Sequence, residues 1–538
     1  MKAIAVFDTF VILSYNNNNA IYRKRYEIMN YLIGIDIGTY SSKGILVDTR
    51  GKIYAKAERQ HDLSIPKHGW AEHNAETLWW KDFCDISKEL IANAAVPKKD
   101  IKAVGASAIA PCVLPVDKNG HPLREAILYG IDTRSTHEIE ILESALGKAW
   151  ILENSGADLS SQSAGPKILW IHNNEPEVWL KSQKFLTSTS YLVFKLTGRY
   201  VIDHYTAAFF GPLYDLKNKQ WSLHAARYIC EISQLPEILW TTEVAGTVTD
   251  QAARETGLAS GTPVIVGTAD AASEAISAGL SSTGDTMLMY GSSMFIISLT
   301  NHLASGGVFW PAPFIYHGTY ALAAGMATAG SITEWFKRNF ATPTKTEQTA
   351  FSVAPNFETL AFQASAVPPG SEGLIALPYF SGERTPLNDP KARGVIAGLT
   401  LRHKSEHIYR ALLEGVAYGI RHNLEALRSS GADIQTLFAV GGGTKNSLWM
   451  HIVSDVIGEP QIVRDTIGAS YGDAFLAGIG TGLIKDRFSI KEWLNQSLII
   501  EPNSSNHLLY NKYFTLYKRL YEKNADILHE LTNLGMNT

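Results

Sequence analysis

From Tyr31 onward the chain alternates short runs of β-branched apolar residues with longer stretches whose apolar positions recur every three or four residues. That alternation predicts an α/β protein. "YLIGIDIG" and "SKGILVDT" read as two strands of a hairpin, with a third strand near residues 52–59. Residues 75–92 and 136–146 have helical spacing, and "IKAVGASAI" reads as a buried strand. Residues 264–267 ("VIVG") predict a strand that runs directly into an alanine-rich helix at 271–278. The opening theme then returns in "GDTMLMYGSSMFIISLT", again strand, Gly-Ser-Ser turn and strand. Two such hairpins, one in each half, suggest two related domains facing each other; the echo has no short period, which argues against a solenoid. "LFAVGGGTKNSLWMHIVSDVIG" predicts a strand, a glycine turn and a helix. The tail at 503–537 reads as a helix, its stripe of Tyr510, Tyr513, Leu516, Tyr517 and Leu520 expected to pack on the body of the protein.

Length changes this picture by dividing it: 538 residues exceed what one hydrophobic core organises. The chain is 45% hydrophobic and 19% charged with 43 glycines, as ordinary α/β proteins are. A formal charge of −4 offers no electrostatic footprint for nucleic acid or an anionic membrane, and no apolar run approaches a bilayer span. Cys84, Cys112 and Cys230 are too few and too scattered for a disulfide framework or a zinc site, so reduced thiols and a cytoplasmic location are expected. Residues 1–30 read as a leader outside the fold. Asp8 interrupts the apolar segment, and the asparagine run at 16–19 stands where a signal peptide needs small residues.

The candidate chemistry lies at the punctuation between these elements. Asp36 sits inside an apolar strand, just before the turn Gly38-Thr39-Tyr40-Ser41-Ser42, and Lys43 opens the next strand. Backbone N–H groups and hydroxyls in such a turn can converge on a phosphate, and a nearby carboxylate can hold Mg²⁺ through water. A plain hairpin that selects Gly and Ser for geometry is the competing reading. Asp270 stands between a strand and a helix, where it serves either as a structural N-cap or as a general base whose pKa the helix terminus lowers. "GGGTKN" lacks the third glycine of a dinucleotide fingerprint, having Asn446 there, and no Walker A pattern occurs. The turn either brings a flat ligand against bare backbone, with Asn446 beside it, or simply joins strand to helix. "LPYFSGERTPLNDP" fixes Glu383 and Arg384 in a loop and predicts an internal ion pair at a domain contact. The 16 histidines show no metal-ligand spacing, and no GxSxG elbow is present.

Taken in order, "GIDIGTYSSKG", "GWAEHNAETLWW", "ILYGIDTR", "PKILWIHNN", "GTADAASEAISAG", "YGSSMF", "LPYFSGERTP", "GVIAGLTLRHKSEHIYRALLEGVAYGI" and "VGGGTKNSLW" resemble the FGGY carbohydrate kinases of the actin-like ATPase superfamily. The resemblance runs from about residue 31 to residue 480. It implies two α/β domains of the actin-like ATPase (ribonuclease H-like) type facing across a cleft, with the sugar at its base. The expected division is 31–280 for an N-terminal domain with sugar site and catalytic Asp, 281–482 for a C-terminal nucleotide domain, and 483–538 for a helical tail. By resemblance, Asp36 holds Mg²⁺ through water, and Gly38, Thr39 and Lys43 meet the ATP phosphates. Gly291 and Ser292 form the opposing phosphate hairpin, and Gly441, Gly442 and Asn446 lie at the adenosine end. Asp270 aligns with the family's catalytic base, and Ala110, Pro111 and Asp132 fall on the sugar side.

Departures bear on substrate more than on chemistry. Where xylulose kinases carry Gln-Met-His-Gly, this chain has Ile109-Ala110-Pro111-Cys112, so an imidazole donor is missing from the sugar pocket. Tyr129 replaces a common Trp, and Ala164 replaces a usual Pro, Ser or Thr. The function implied is ATP- and Mg²⁺-dependent phosphorylation of a sugar hydroxyl, D-xylulose or a related ketopentose first, another ketose, polyol or aldonate as the alternative. A non-catalytic sugar sensor would have no reason to keep Asp36, Lys43 and Asp270 together. An ATPase chaperone would need a client-binding domain larger than residues 483–538. The sugar is the expected partner, and a second copy of the chain is a partner that the resemblance allows.

Overall fold

Alternation along the first strand decides how the N-terminal sheet is buried. In Tyr31–Ile37, Ile33, Ile35 and Ile37 enter one core and Leu32 the other, so Gly34 and Asp36 share the face of Leu32. The structure is a computed structural model that describes residues 29–304, 307–340, 356–464, 468–494 and 497–536. The leader expected at 1–30 falls outside the described residues apart from its last two positions.

Tyr31–Ile37, Ser41–Asp48 and Ile53–Gln60 form an antiparallel meander, and Ile101–Ala108 adds in parallel on the other side of Tyr31–Ile37. Pro263–Ile265 continues the sheet in parallel, and Val244–Thr247 closes its edge. A second seven-stranded sheet repeats this plan. Asp285–Tyr290, Met294–Thr300 and Tyr320–Met326 form the antiparallel meander, and Thr436–Val440 then Gln461–Val463 add in parallel. The weak echo between the two hairpins is therefore a duplicated topology, three antiparallel strands followed by two parallel ones. This is the mixed α/β, actin-like arrangement the resemblance implied.

Several local expectations change. The strand before Asp270 is not continuous: Pro263–Ile265 and Thr268–Ala269 are separate pieces, both paired to Ile101–Ala108, with Gly267 at φ +73° between them. The helix expected over 75–92 begins as a wide turn at Ala75–Trp80 and becomes a regular α-helix over Lys81–Ala94. The tail forms the helix Ser504–Met536, with Tyr510, Phe514 and Tyr517 buried against Ser405–Ser429 and its neighbours. Leu516 departs from the predicted packing stripe and is exposed. The anchor at this contact is polar. Glu414 accepts from Arg410 Nε at 2.9 Å, Tyr510 Oη at 2.8 Å and Ser371 Oγ at 2.8 Å, which compensates its burial.

Candidate active site

The centre of the molecule is built on two glycines. Gly34 and Gly105 lie opposite each other in the N-terminal sheet. A Cβ on Gly34 would stand 1.9 Å from the Ser470 carbonyl oxygen, and one on Gly105 would stand 2.1 Å from that of Asp473. Hydrogen at both positions lets the helix Ala469–Gly480 lie with its backbone on the sheet. The helix, which follows the second sheet's parallel strands, therefore reaches the strand that carries Asp36.

That contact assembles carboxyl groups the sequence reading did not connect. Ser107, directly across from Asp36 in the sheet, has its Oγ 2.9 Å from Asp36 Oδ1 and 2.8 Å from Asp473 Oδ2. One hydroxyl hydrogen cannot serve two acceptors at once, so the second oxygen is left without this donor unless its carboxyl carries a proton. Asp473 suits that role. It is 1% exposed, burial pushes it up to about 8, and Ser273 Oγ donates to its other oxygen at 2.7 Å. A proton on Asp473 would free the Ser107 hydroxyl to donate to Asp36, and Ser273 Oγ lies within reach of both Asp473 Oδ1 (2.7 Å) and the Ala469 carbonyl (2.9 Å).

Asp270 is the first residue of the helix Asp270–Ala278, and Ala269 holds the N-cap position. Among the described residues its carboxylate accepts only the Ala271 N–H, at 2.7 Å through Oδ1. The expected lowering of its pKa by the helix terminus is overturned: burial pushes it up to about 7, the Ala271 hydrogen bond lowers it only in part, and Glu274 adds to the rise. Burial likewise raises Asp36 well above the usual carboxylate range, with Asp270, Asp473 and Glu274 adding their charges. The charges with the largest effect on Asp36 are thus those of acids. Among the described residues no donor reaches Asp36 Oδ2 or Asp270 Oδ2, and no three acidic, His or Cys side chains cluster tightly enough to cage a metal by themselves. Uncompensated carboxylates with free oxygens fit a divalent cation that keeps most of its own waters.

The remaining predicted residues are distributed around this centre. The first turn is closed by Gly38 N–H donating to the Ser41 carbonyl at 2.9 Å, and Thr39 Oγ1 lies 3.0 Å from Tyr129 Oη. Lys43 pairs in register with Asp36, is half-exposed, and has Glu58 at 3.7 Å. In the opposing hairpin the Gly291 and Ser292 carbonyls accept from Gly330 N–H (2.9 Å), Ala329 N–H (2.9 Å) and Ser331 N–H (3.0 Å), tying the turn to the start of the helix Gly330–Phe340. Gly441 takes φ +95°, Gly442 is exposed, and Asn446 caps the helix Ser447–Ile457 by accepting Trp449 N–H at 3.1 Å. Ala110 is partly exposed, whereas Pro111 and Cys112 are buried.

Asp132 requires correction as a sugar-facing residue. It is fully buried, and Arg134 Nε (3.0 Å to each oxygen), Arg134 Nη2 (2.7 Å) and Ala71 N–H (2.7 Å) occupy its carboxylate. Arg134 stacks 3.8 Å over the Trp70 ring, so this pair fixes the wall of the domain. The expected Glu383–Arg384 ion pair is also absent. Glu383 Oε1 accepts Ala327 N–H at 3.0 Å and Arg384 N–H at 2.7 Å, and burial pushes Glu383 up to about 8. Ser107, Asp473 and Glu274 were not anticipated. The nearest sequence signal was Asp473 as the single acid of "ASYGDAFLAGIG", a helix otherwise made of small and apolar residues.

Duplicated sheets, a Gly-Thr turn in one and a Gly-Ser turn in the other, and a group of buried carboxyls are the features expected of a two-domain phosphoryl-transfer enzyme of the actin-like class. The N-terminal-domain signature of the FGGY family of carbohydrate kinases matches residues 31–277, and its C-terminal-domain signature matches 286–481. A xylulose kinase of Bacillus subtilis is 30% identical over 521 residues, covering 95% of this chain and 100% of that protein. A gluconokinase of the same organism is 27% identical, covering 87% of this chain and 91% of that protein. The crystal structure of a xylulose kinase from Rhodospirillum rubrum superposes with a TM-score of 0.85 at 30% identity, covering 93% of this chain and 100% of that one. The chain belongs to the FGGY family of carbohydrate kinases. Its activity is the ATP-dependent phosphorylation of a sugar hydroxyl. No helix among the described residues is long and apolar enough to cross a membrane.

Proposed function

We propose that this kinase transfers the γ-phosphoryl group of ATP, bound with Mg²⁺, to a terminal hydroxyl of a ketopentose such as D-xylulose, with Asp270 as general base. The observation that carries the reading is the Asp270 carboxyl itself: one oxygen is anchored on Ala271 N–H, the other is free, and its pKa is raised to about 7. A base poised near neutral pH accepts a hydroxyl proton and contributes roughly 10²- to 10⁴-fold. Asp36 would hold Mg²⁺ through water. Gly38, Thr39, Lys43, Gly291 and Ser292 would hold the phosphates, and Gly441, Gly442 and Asn446 the adenosine. The bound nucleotide supplies the electrophilic phosphorus, and the metal neutralises its charge. Ser107 would orient Asp36, and a proton on Asp473 would keep that hydrogen bond directed toward it.

Similarity to xylulose kinases supports D-xylulose. Ala110 and Pro111 in place of Met and a hydrogen-bonding His leave room for another ketose, a polyol or an aldonate, and the gluconokinase likeness supports that alternative. We divide the chain at 280/281 and 482/483 and assign it to the cytoplasm, with a homodimer as the assembly to test. The decisive experiment is coupled ADP release against D-xylulose, D- and L-ribulose, other ketoses, polyols and gluconate, with Asp270→Asn in parallel. Turnover with one sugar, lost in the variant while nucleotide still binds, supports the reading. A variant that turns over like the wild type removes Asp270 as the base.

A further inference from the structure

Arg384 sits on an unusually fixed stretch of backbone. Glu383 N–H donates to the Asp389 carbonyl at 2.8 Å, and Asp389 N–H donates back to the Glu383 carbonyl at 2.9 Å. Arg384 N–H is held by the Glu383 carboxyl at 2.7 Å. Thr385 N–H donates to the Gly325 carbonyl at 3.1 Å, and Gly325 N–H donates to Thr385 Oγ1 at 2.8 Å, locking the segment to the second sheet. The guanidinium is treated differently. Among the described residues no hydrogen bond or ion pair reaches it, although it is partly buried. Glu383 and Tyr129 act on it only through their charges, so its planar fork of N–H donors is open to the oxygens of a ligand.

Its surroundings indicate which ligand. Tyr129 belongs to the first half of the molecule, and its phenol, raised by burial, is pulled back by the Thr39 hydrogen bond and by the Arg384 charge. Tyr129 Oη in turn lies 3.0 Å from Thr39 Oγ1 in the first turn. The backbone geometry points the same way: Glu383 Oε1 accepts Ala327 N–H at 3.0 Å, and Ala329 N–H, two residues on, donates to the Ser292 carbonyl at 2.9 Å, so Arg384 is anchored beside the second turn assigned to the nucleotide phosphates.

We propose that Arg384 is a further catalytic residue whose guanidinium binds the equatorial oxygens of the phosphoryl group in transit between nucleotide and sugar. The inference rests on the phosphate assignment of the 38–43 turn. In the step, the bond from the γ-phosphorus to the bridging oxygen breaks with its electron pair going to ADP. The sugar oxygen forms the new bond, and its proton passes to Asp270. Arg384 exchanges no proton. The planar fork matches phosphoryl oxygens in a way a point charge does not.

The test uses the full chain with Arg384→Met and Arg384→Lys. Expected for Arg384→Met are a kcat about 10²- to 10³-fold lower, a sugar KM and MgADP affinity within about threefold of wild type, and an unchanged melting temperature. Calorimetric binding of orthovanadate in the presence of MgADP weakens by at least about tenfold. Methylguanidinium restores part of the turnover, and Arg384→Lys falls between wild type and Arg384→Met. An unchanged kcat, a raised sugar KM with unchanged kcat, or a loss explained by a lowered melting temperature in both variants overturns the inference. Lys43→Met separates the two readings. If it leaves MgATP binding and turnover intact, the phosphate assignment of the turn itself fails; if it weakens both while Arg384→Met is normal, only the role of Arg384 falls.

Discussion

Replacing Asp270 by Asn should raise stability and abolish activity, and the stability gain should depend on pH in a defined direction. The Asp270 carboxyl titrates near 3.8 when unfolded and at about 7 in the native protein. Between those values the native state keeps a proton that the unfolded chain releases, so native stability falls as pH rises through the window. Nothing is lost below about pH 4, and the whole penalty is present above about pH 7. The shift from 3.8 to about 7 is about three units, at 1.36 kcal/mol each about 4 kcal/mol; partial access to solvent brings the expectation to about 2 kcal/mol. Asparagine does not titrate, and removing the charge also relieves Asp36 and Asp473, both of which Asp270 pushes upward. The measurement is thermal unfolding of both proteins in EDTA from pH 4.5 to 8.5 at constant ionic strength. The melting-temperature difference should start near zero and grow by several degrees, while kcat with Mg²⁺ falls about 10²- to 10⁴-fold. A difference that stays flat with pH would show that Asp270 ionises normally, and the explanation for its poise as a base would be wrong.

The other predictions concern the contacts that build this centre. Asp473→Asn keeps an N–H donor toward Ser107 and should retain stability within about 1 kcal/mol and most of the turnover. Asp473→Leu, which cannot donate, should lose turnover by at least about tenfold, and equal behaviour of the two variants would count against a proton on Asp473. Gly34→Ala forces a methyl group onto the Ser470 carbonyl and should cost about 1–3 kcal/mol in thermal unfolding together with kinase activity; an unperturbed melt would refute the close approach. Arg410→Met strands the buried Glu414 carboxylate and should destabilise by about 3–5 kcal/mol, much of it recovered by adding Glu414→Met, with no recovery as the refuting result.

The first meander, the hairpin that opens the second sheet and the order of the motifs were legible because each is local, whereas the strand Tyr320–Met326 that completes the second meander was not read. A two-residue period identifies a strand, Gly with Ser or Thr identifies a turn, and an acid inside an apolar run draws notice wherever it occurs. Asp36 and Asp270 were found for that reason. What local pattern could not convey was the environment of those acids. The helix terminus beside Asp270 argued for a low pKa, but burial and a carboxylate outweighed one N–H. Asp132 read as a candidate for sugar contact, and only the folded wall over Trp70 shows that Arg134 occupies its carboxylate. Glu383 and Arg384, adjacent and opposite in charge, invited a pairing that the turn geometry does not make.

The hardest feature to read was the arrangement that explains why an acid sits in the first strand at all. Gly34 and Asp36 share one face, and Gly105 and Ser107 stand opposite them across the sheet. The glycine pair admits the helix backbone, and the serine–aspartate pair then meets Asp473, 366 positions from Ser107. The contact that joins the second half of the chain to the first is thus continuous with the residue expected to orient the metal. A displacement of the helix on the sheet must pass into the hydrogen bond from Ser107 to Asp36. Stability and catalysis are coupled at this strand, and substitutions at Gly34 or Asp473 cannot be sorted into one effect or the other by a melting curve alone; the change in kcat at fixed Mg²⁺ is the measurement that separates them.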